Sequence, residues 1–145
     1  MPGAPENDVI GLAEALRPAI LRVSRRLRQE AQKAGISAQD ALLLGHIRKH
    51  PGIGVSALAE VERTSKPTMS AHIKRLEAAG LVARSSDAED GRRSGLAITP
   101  SGARTLELIR RQRNDWLAAR LARLSPAERE AVSEATPALL RLVEP

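Results

Sequence analysis

Residues 65–79 bring hydroxyl groups and cations together in a segment whose apolar residues have helical spacing. Met69, Ile73 and Leu76 recur at intervals of three and four, which predicts one buried helical face. The other faces carry Pro67, Thr68, Ser70, Ala71, Lys74 and Arg75, and no carboxylate precedes Glu77. Such a helix can lie close to a polyanion, and small side chains would let it approach base edges in the major groove of DNA. For this segment alone, a solvated amphipathic helix is the alternative interpretation.

The residues around this segment predict a helix-turn-helix. Thr64 or Ser65 can cap its first turn, because either hydroxyl can accept a hydrogen bond from a free backbone amide. Upstream, Ser56 is predicted to cap a shorter helix, and residues 62–64 would form the turn between the two helices. Gly80 follows the segment where a left-handed C-terminal cap is expected.

Two short apolar segments downstream predict a β-hairpin. They are residues 81–84 and 96–99, which are rich in residues that favour strands. The turn between them contains Asp87, Asp90, Gly91, Arg92, Arg93 and Gly95. A hairpin with a cationic tip beside a helix-turn-helix has the arrangement of a wing.

These motifs together resemble the MarR family of winged-helix transcription regulators. The resemblance lies in LAE, then SKPTMSAHIKRLEAAGLVARSSDAEDGRR, then ITPSG at the entry to a long helix. The hairpin has the family pattern of two acids and an arginine, here Asp87, Asp90 and Arg92. The resemblance covers nearly the whole chain and is most specific over residues 55–99. It implies a mainly α fold with a small β-wing, in which N- and C-terminal dimerisation helices flank a winged helix-turn-helix.

The candidate DNA-contacting residues of the helix differ in their expected roles. Those predicted to face the major groove, with Pro67 on the same surface, are Ser65, Lys66, Thr68, Ser70 and Lys74. Arg75 is predicted to hold a phosphate, a contact that gives affinity but no sequence information. His72 lies near the buried side, so a packed or phosphate-facing histidine is favoured over a base-reading one.

Among the hairpin residues, Arg92 is predicted to enter the minor groove, since a narrow A·T-rich groove attracts a guanidinium. Arg93 is the alternative for this role, and Arg84 on the first strand is a further candidate for DNA contact. Asp87 or Asp90 would orient a hairpin arginine or Arg84. Ordinary turn propensity explains the two acids about equally well.

Composition limits the other classes of function. The chain has 145 residues, 23 Lys and Arg against 17 Asp and Glu, a formal net charge of +6 and a pI near 10.9. This length predicts one domain, and the basic balance favours nucleic acid or an anionic membrane. The absence of Cys excludes disulfides, thiol redox sensing and Cys-based zinc sites.

Motifs for catalysis or cofactor binding are absent from the sequence. His46, His50 and His72 lack metal-ligand spacing, and no phosphate-binding glycine motif or nucleophile motif is present. We therefore expect no enzyme, no metal and no cofactor. No apolar run approaches the roughly 20 residues that span a bilayer and no signal peptide is visible, so a soluble, cytoplasmic protein is expected.

Outside the central region, the sequence predicts helices at both ends of a single domain covering residues 1–145. The first would start near Asp8 and run to about Lys33, with Pro18 kinking or dividing it. Ser37, Thr99 and Ser125 are predicted helix caps, and Pro137 is a second predicted kink. Residues 8–34 and 100–143 are the expected dimerisation helices and residues 37–99 the winged helix-turn-helix lobe. The alternative is that the terminal apolar stripes only build the monomer core.

The predicted function is a transcription regulator, a repressor that binds a palindromic operator as a homodimer. The family resemblance implies release by a small aromatic or phenolic anion bound between the dimerisation helices and the lobe, although the sequence does not identify the ligand-binding residues. The chain has no Tyr or Phe, and its single aromatic residue is Trp116. One alternative is a constitutive or architectural DNA-binding protein without an effector, and another is a protein-interaction module that uses only the terminal helices.

Overall fold

The computed structural model describes residues 5–86 and 94–145, which form six helices and a two-stranded antiparallel sheet. The elements are α1 (Pro5–Gln32), α2 (Ala38–Lys49), α3 (Val55–Val61), α4 (Lys66–Ala78), β1 (Val82–Ser86), β2 (Ser94–Ile98), α5 (Pro100–Leu121) and α6 (Pro126–Arg141). This order agrees with the predicted mainly α fold with a small β-wing.

Side-chain caps begin four of the helices. The hydroxyls of Ser37, Ser65, Thr99 and Ser125 each accept a hydrogen bond from the backbone N–H three residues later, as the sequence predicted for these positions. At α6 the capping box is complete, because the Glu128 side chain also accepts from the N–H of Ser125. This hydrogen bond lowers the pKa of Glu128.

The predicted start of α3 was wrong. Its N-cap is Gly54, which makes no side-chain hydrogen bond, and Ser56 already lies inside the helix. The reason is that Ile53 is held in a β-bridge to Leu96, so the chain leaves the bridge and enters the helix directly. The carbonyl of Gly54 then accepts the first helical bond, from the N–H of Leu58 at 3.0 Å.

Proline does not divide the terminal helices. α1 runs as one helix through Pro18 and begins at Pro5, three residues before the predicted start at Asp8. α6 likewise continues through Pro137. The alternative that Pro18 would divide the first helix was therefore wrong.

The main hydrophobic core joins α2, α3, α4 and the hairpin. Its buried residues are Leu43, Leu44, Ile47, Leu58, Ala59, Met69, Ile73, Leu76, Leu81, Val82 and Leu96. A second, smaller cluster joins α1, α2 and α5 through Ala31, Ala41 and Ile109. Helix α2 therefore belongs to both clusters.

The hairpin pairs Val82 with Ile98 and Ser86 with Ser94, close to the predicted strands at 81–84 and 96–99. Leu96 also bonds the chain before α3: its N–H donates to the Ile53 carbonyl and its carbonyl accepts from the Gly52 N–H, both at 2.8 Å. The hairpin is thereby attached to the segment that leads into α3.

α6 has no buried residue in this chain. α1 packs along α5, where Nε of Arg113 donates to the carbonyl of Leu27 at 3.2 Å, but much of its apolar surface stays open. The exposed apolar residues of the terminal helices are Val9, Ile10, Leu12, Ile20, Leu21, Val23, Leu108, Val132, Leu139 and Leu140, with Leu142 and Val143 after α6.

We predict that Gly102→Ala destabilises the fold, because Gly102 lies where α5 crosses the hairpin. A Cβ there would clash with the carbonyl oxygen of Leu81 and lie 2.7 Å from Cγ1 of Ile98. Overpacking of this kind costs about 1–3 kcal/mol in the free energy of unfolding. Urea unfolding at fixed protein concentration would measure the change.

The matched control is Gly45→Ala in α2, where an added Cβ meets nothing within 4 Å. Alanine should there stabilise the helix by about 0.5–1 kcal/mol. Equal effects of the two substitutions would contradict the close approach at Gly102.

Candidate nucleic-acid interface

The first turn of α4 is fixed by Ser65. Its Oγ accepts from the N–H of Thr68 at 3.2 Å and donates to Oγ1 of Thr68 at 2.8 Å. The Ser65 hydroxyl is therefore used within the cap, whereas Thr68 keeps a hydroxyl proton for an external acceptor. Pro67 occupies the first turn, where its missing N–H leaves no helical hydrogen bond unmade.

The turn before α4 has an unusual backbone conformation. Arg63 has φ of 51°, the one positive φ of a non-glycine residue in the part of the chain that the structure describes. Backbone bonds from Arg63 to Glu60 and from Thr64 to Ala59, at 3.1 and 3.0 Å, hold the turn. The angle between α3 and α4 is thus set by a conformation that neighbouring contacts must maintain.

α4 has the two faces that the sequence predicted. Met69 and Ile73 are fully buried and Leu76 is 1% exposed, all within the main core. The exposed positions are Ser65, Lys66, Pro67, Thr68, Ala71, Lys74 and Arg75, while Ser70 is half-buried. Most predicted major-groove residues therefore share one open surface, and Gly80 ends the helix with φ of 74°.

Arg75 is bound within the protein by a residue that the sequence interpretation did not assign to the site. Its Nη2 donates to Oδ1 of Asp40 at 2.6 Å and its Nε to Oδ2 at 3.4 Å. The hydrogen bond and the charge of Asp40 raise the pKa of Arg75. Nη2 also lies 2.8 Å from Nδ1 of the half-buried His72. The predicted phosphate contact of Arg75 would come from a guanidinium that is already oriented.

Asp40 is 7% exposed and lies 35 positions before Arg75. One sequence signal could have suggested it: Asp40 stands three and four positions before Leu43 and Leu44, on the buried side of α2. A buried carboxylate needs a partner, but the sequence does not say which cation supplies it.

Arg84 also has an internal partner. Its Nε donates to Oε1 of Glu77 at 2.7 Å, which joins β1 to the end of α4. By contrast, Lys66 and Lys74 have no ion-pair partner within residues 5–86 and 94–145. Among the described Lys and Arg residues that were predicted to contact DNA, these two lysines are the ones without a carboxylate partner.

A second contact joins α2 to the helix-turn-helix. Nε2 of His46 lies 2.8 Å from Oε1 of Glu62, the residue that ends α3. The Glu62 side chain is 12% exposed and that of His46 is 29% exposed. Together with Asp40 and Arg75, this pair attaches α2 to the turn and to α4.

A cleft of about 680 Å³ lies between α2 and α5. Its basic lining residues are Arg28, His46, Arg48, Lys49, Arg110 and Arg113, and its described lining includes no carboxylate. Leu42, Leu106 and Ile109 provide apolar walls. Just outside the lining, Glu107 pairs with Arg110 at 2.9 Å, and this hydrogen bond lowers the pKa of Glu107.

Trp116 is not among the residues that line this cleft. It is half-buried, with the guanidinium groups of Arg26 and Arg120 at 5.5 and 5.6 Å from the ring centroid.

The predictions for Asp87, Asp90, Arg92 and Arg93 fall outside the described residues. Within the described ranges, no group of three or more His, Cys, Asp or Glu residues could hold a metal ion. None of the helices there is both long and apolar enough to cross a membrane.

A helix-turn-helix with an open, cationic second helix and an adjoining hairpin defines the winged helix-turn-helix class of proteins. The model of the MarR family matches residues 34–93. An HTH-type transcriptional regulator of Mycobacterium tuberculosis is 34% identical over 133 residues, covering 92% of this chain and 93% of the relative. The chain belongs to the MarR family.

Solved structures agree with this assignment. A protein of Pseudomonas aeruginosa described as a transcriptional regulator is 32% identical, with a TM-score of 0.83 and coverage of 97% of this chain and 99% of that one. A MepR variant of S. aureus, bound to an oligodeoxyribonucleotide, is 22% identical, with a TM-score of 0.72 and coverage of 91% and 97%. The latter similarity concerns the fold.

Substitutions of Ser65 should separate stability from DNA binding. Ser65→Ala removes the cap of α4 and should lower the free energy of unfolding by about 1 kcal/mol. Ser65→Asp keeps a capping oxygen but places a carboxylate at the exposed start of α4, so it should stay stable and bind DNA about tenfold more weakly or worse. Urea unfolding and fluorescence anisotropy with a DNA duplex would measure the two effects.

Ser125→Asp is the control, because Ser125 caps α6 in the same way. It should change neither quantity appreciably. If Ser65→Asp bound DNA as well as the wild type, the start of α4 would not face the DNA.

Proposed function

We propose that the protein is a sequence-specific transcriptional regulator, a repressor that binds a palindromic operator as a homodimer. The observation that supports this most directly is the exposed surface of α4. There, hydroxyl groups and lysines without an ion-pair partner among the described residues surround small side chains. Phosphate contacts and base contacts both need such groups. The oligodeoxyribonucleotide in the structure of the MepR variant is consistent with the same use of the fold.

In this proposal Lys74 and Lys66 donate to base edges, and Thr68 and Ser70 contact bases or phosphate. Pro67 provides a small side chain at the start of α4, which lets the helix approach the DNA. Arg75 and Arg84 contact the DNA backbone from positions fixed by Asp40 and Glu77. The hairpin arginines, Arg92 or Arg93, would enter the minor groove, with Asp87 or Asp90 orienting them.

The open apolar surface of the terminal helices supports the dimer. α6 has no buried residue in its own chain, and Leu140 and Leu142 are 61% and 67% exposed. A second copy that covers α1, α5 and α6 would bury these residues and place two α4 helices roughly 34 Å apart, one turn of DNA.

The cleft between α2 and α5 is the proposed effector site. It lies between the terminal helices and the winged lobe, and basic side chains around apolar walls suit a small aromatic or phenolic anion. Release from DNA requires that the anion bind unequally to the conformations with and without DNA, because tight binding alone shifts no equilibrium.

A constitutive or architectural DNA-binding protein is the second candidate, because the described lining of the cleft includes no Phe, Tyr or Trp. Such a protein would show little sequence preference and an affinity governed by salt. Neither candidate is an enzyme or uses a cofactor, and both would act in the cytoplasm.

A footprint on DNA flanking the coding region, at two salt concentrations, tests the proposal. A protected, nearly palindromic site that survives the higher salt supports the regulator. Diffuse protection that disappears with salt supports the architectural alternative.

On the protected site, Lys74→Ala should cost about 1–3 kcal/mol and relax sequence preference, because a base contact would be lost. Arg92→Ala should weaken binding chiefly where the flanks are A·T-rich. Lys33→Ala is the control, since it removes one cation from the end of α1, where Lys33 pairs with Glu30. Equal loss on every DNA sequence would contradict the base contact of Lys74.

The dimer can be tested by Leu140→Glu, which places a charge on the open apolar side of α6. The variant should have the mass of a monomer by light scattering after gel filtration, at a concentration where the wild type is a dimer. Val61→Glu, at a residue that is 56% exposed outside the terminal helices, should leave the mass unchanged. A dimeric Leu140→Glu variant would rule out an interface at this face of α6.

A further inference from the structure

His46 lies at the boundary between two sites. It lines the cleft between α2 and α5, among residues whose side chains can bind an anion. The same imidazole places Nε2 2.8 Å from Oε1 of Glu62, at the end of α3. Among the described lining residues of the cleft, His46 is the one whose side chain contacts a carboxylate of the helix-turn-helix.

The Glu62 carboxylate is largely shielded from water beside His46. Its side chain is 12% exposed, and no Lys or Arg of the described residues lies within ion-pair distance. A carboxylate so far removed from water is destabilised when its partner is withdrawn.

Glu62 is also directly followed by Arg63, whose positive φ makes the turn into α4 conformationally demanding. A change at Glu62 therefore acts on the segment that sets the direction of α4.

We propose that His46 has two competing partners, Glu62 and an anion in the cleft, and that this competition couples the cleft to the DNA-binding surface. Without the anion, His46 holds Glu62 and the turn keeps the conformation that suits DNA. With the anion, His46 turns toward the cleft, Glu62 loses its partner and the turn is released. This inference rests on the proposed effector site and assigns the residue that transmits its signal.

The competition has a reciprocal consequence. If the anion lowers DNA affinity by some factor, DNA lowers anion affinity by the same factor. Removing the charge of Glu62 should abolish this coupling but leave the cationic cleft intact. Loss of response with retention of ligand is a result that general damage to the fold would not produce.

The experiment uses the full-length protein, sodium benzoate as the probe and the duplex defined by footprinting. Calorimetry gives benzoate affinity for the free protein, and fluorescence anisotropy at constant ionic strength gives DNA affinity with and without benzoate. Wild-type DNA affinity should fall about tenfold with saturating benzoate, within the usual range for coupled sites. Benzamide, which has no charge, should have no effect.

Glu62→Gln should bind benzoate at least as tightly as the wild type, while its DNA affinity changes less than twofold when benzoate is added. The matched control is Glu107→Gln, which removes a carboxylate beside the cleft that pairs with Arg110 and Arg111 on α5 itself. It should keep the tenfold response. His46→Gln provides a second variant, expected to weaken both benzoate binding and the response.

The outcomes separate this inference from the function on which it rests. If Glu62→Gln binds benzoate and still responds as the wild type does, coupling through His46 is wrong and the effector site stands. If benzoate does not bind the wild type, the effector site and this inference both fail. DNA binding by the wild type would be unaffected by that failure.

Discussion

Helix α2 packs in two hydrophobic clusters, and this packing constrains the positions of the other helices. Leu43, Leu44 and Ile47 join the core of the winged lobe, and Ala41 joins the cluster with Ala31 of α1 and Ile109 of α5. The interior of a protein is close-packed, so a helix shared by two clusters cannot shift in one without disturbing the other. The orientation of α4 is thereby tied to the terminal helices, although α4 lies in the winged lobe.

The net charge of +6 does not show which cations on and beside α4 are paired with carboxylates. Arg75 and Arg84 are oriented by Asp40 and Glu77, and such pairs fix geometry while they reduce the local field. Base contacts from Lys66 and Lys74 would carry the sequence information, and oriented arginines would set the register on the backbone. In the proposed complex, the unpaired lysines would therefore read bases and the paired arginines would position the protein on the backbone.

The sequence predicted most helix starts and the buried face of α4, because these features depend on interactions between residues close in the chain. The caps at Ser37, Ser65, Thr99 and Ser125 depend on residues three positions away, and the buried face of α4 follows from its spacing. The start of α3 was missed because it depends on the bridge between Ile53 and Leu96, which joins distant parts of the chain. The pairs of Asp40 with Arg75 and of His46 with Glu62 are likewise tertiary, so periodicity cannot reveal them.

The junction between the hairpin and α5 explains how the terminal helices could control the spacing of two α4 helices in the proposed dimer. Thr99 Oγ1 donates to the carbonyl of Gly80 at 2.6 Å, and its N–H donates to the carbonyl of Leu81 at 3.1 Å. The start of α5 is therefore bonded to the chain that leaves α4. With α2 on one side and this junction on the other, the winged lobe has two attachments to the terminal helices. A change in how α5 packs against the second copy in a dimer would then move α4 together with the whole winged lobe. A change at Glu62 would instead move α4 relative to the rest of the lobe.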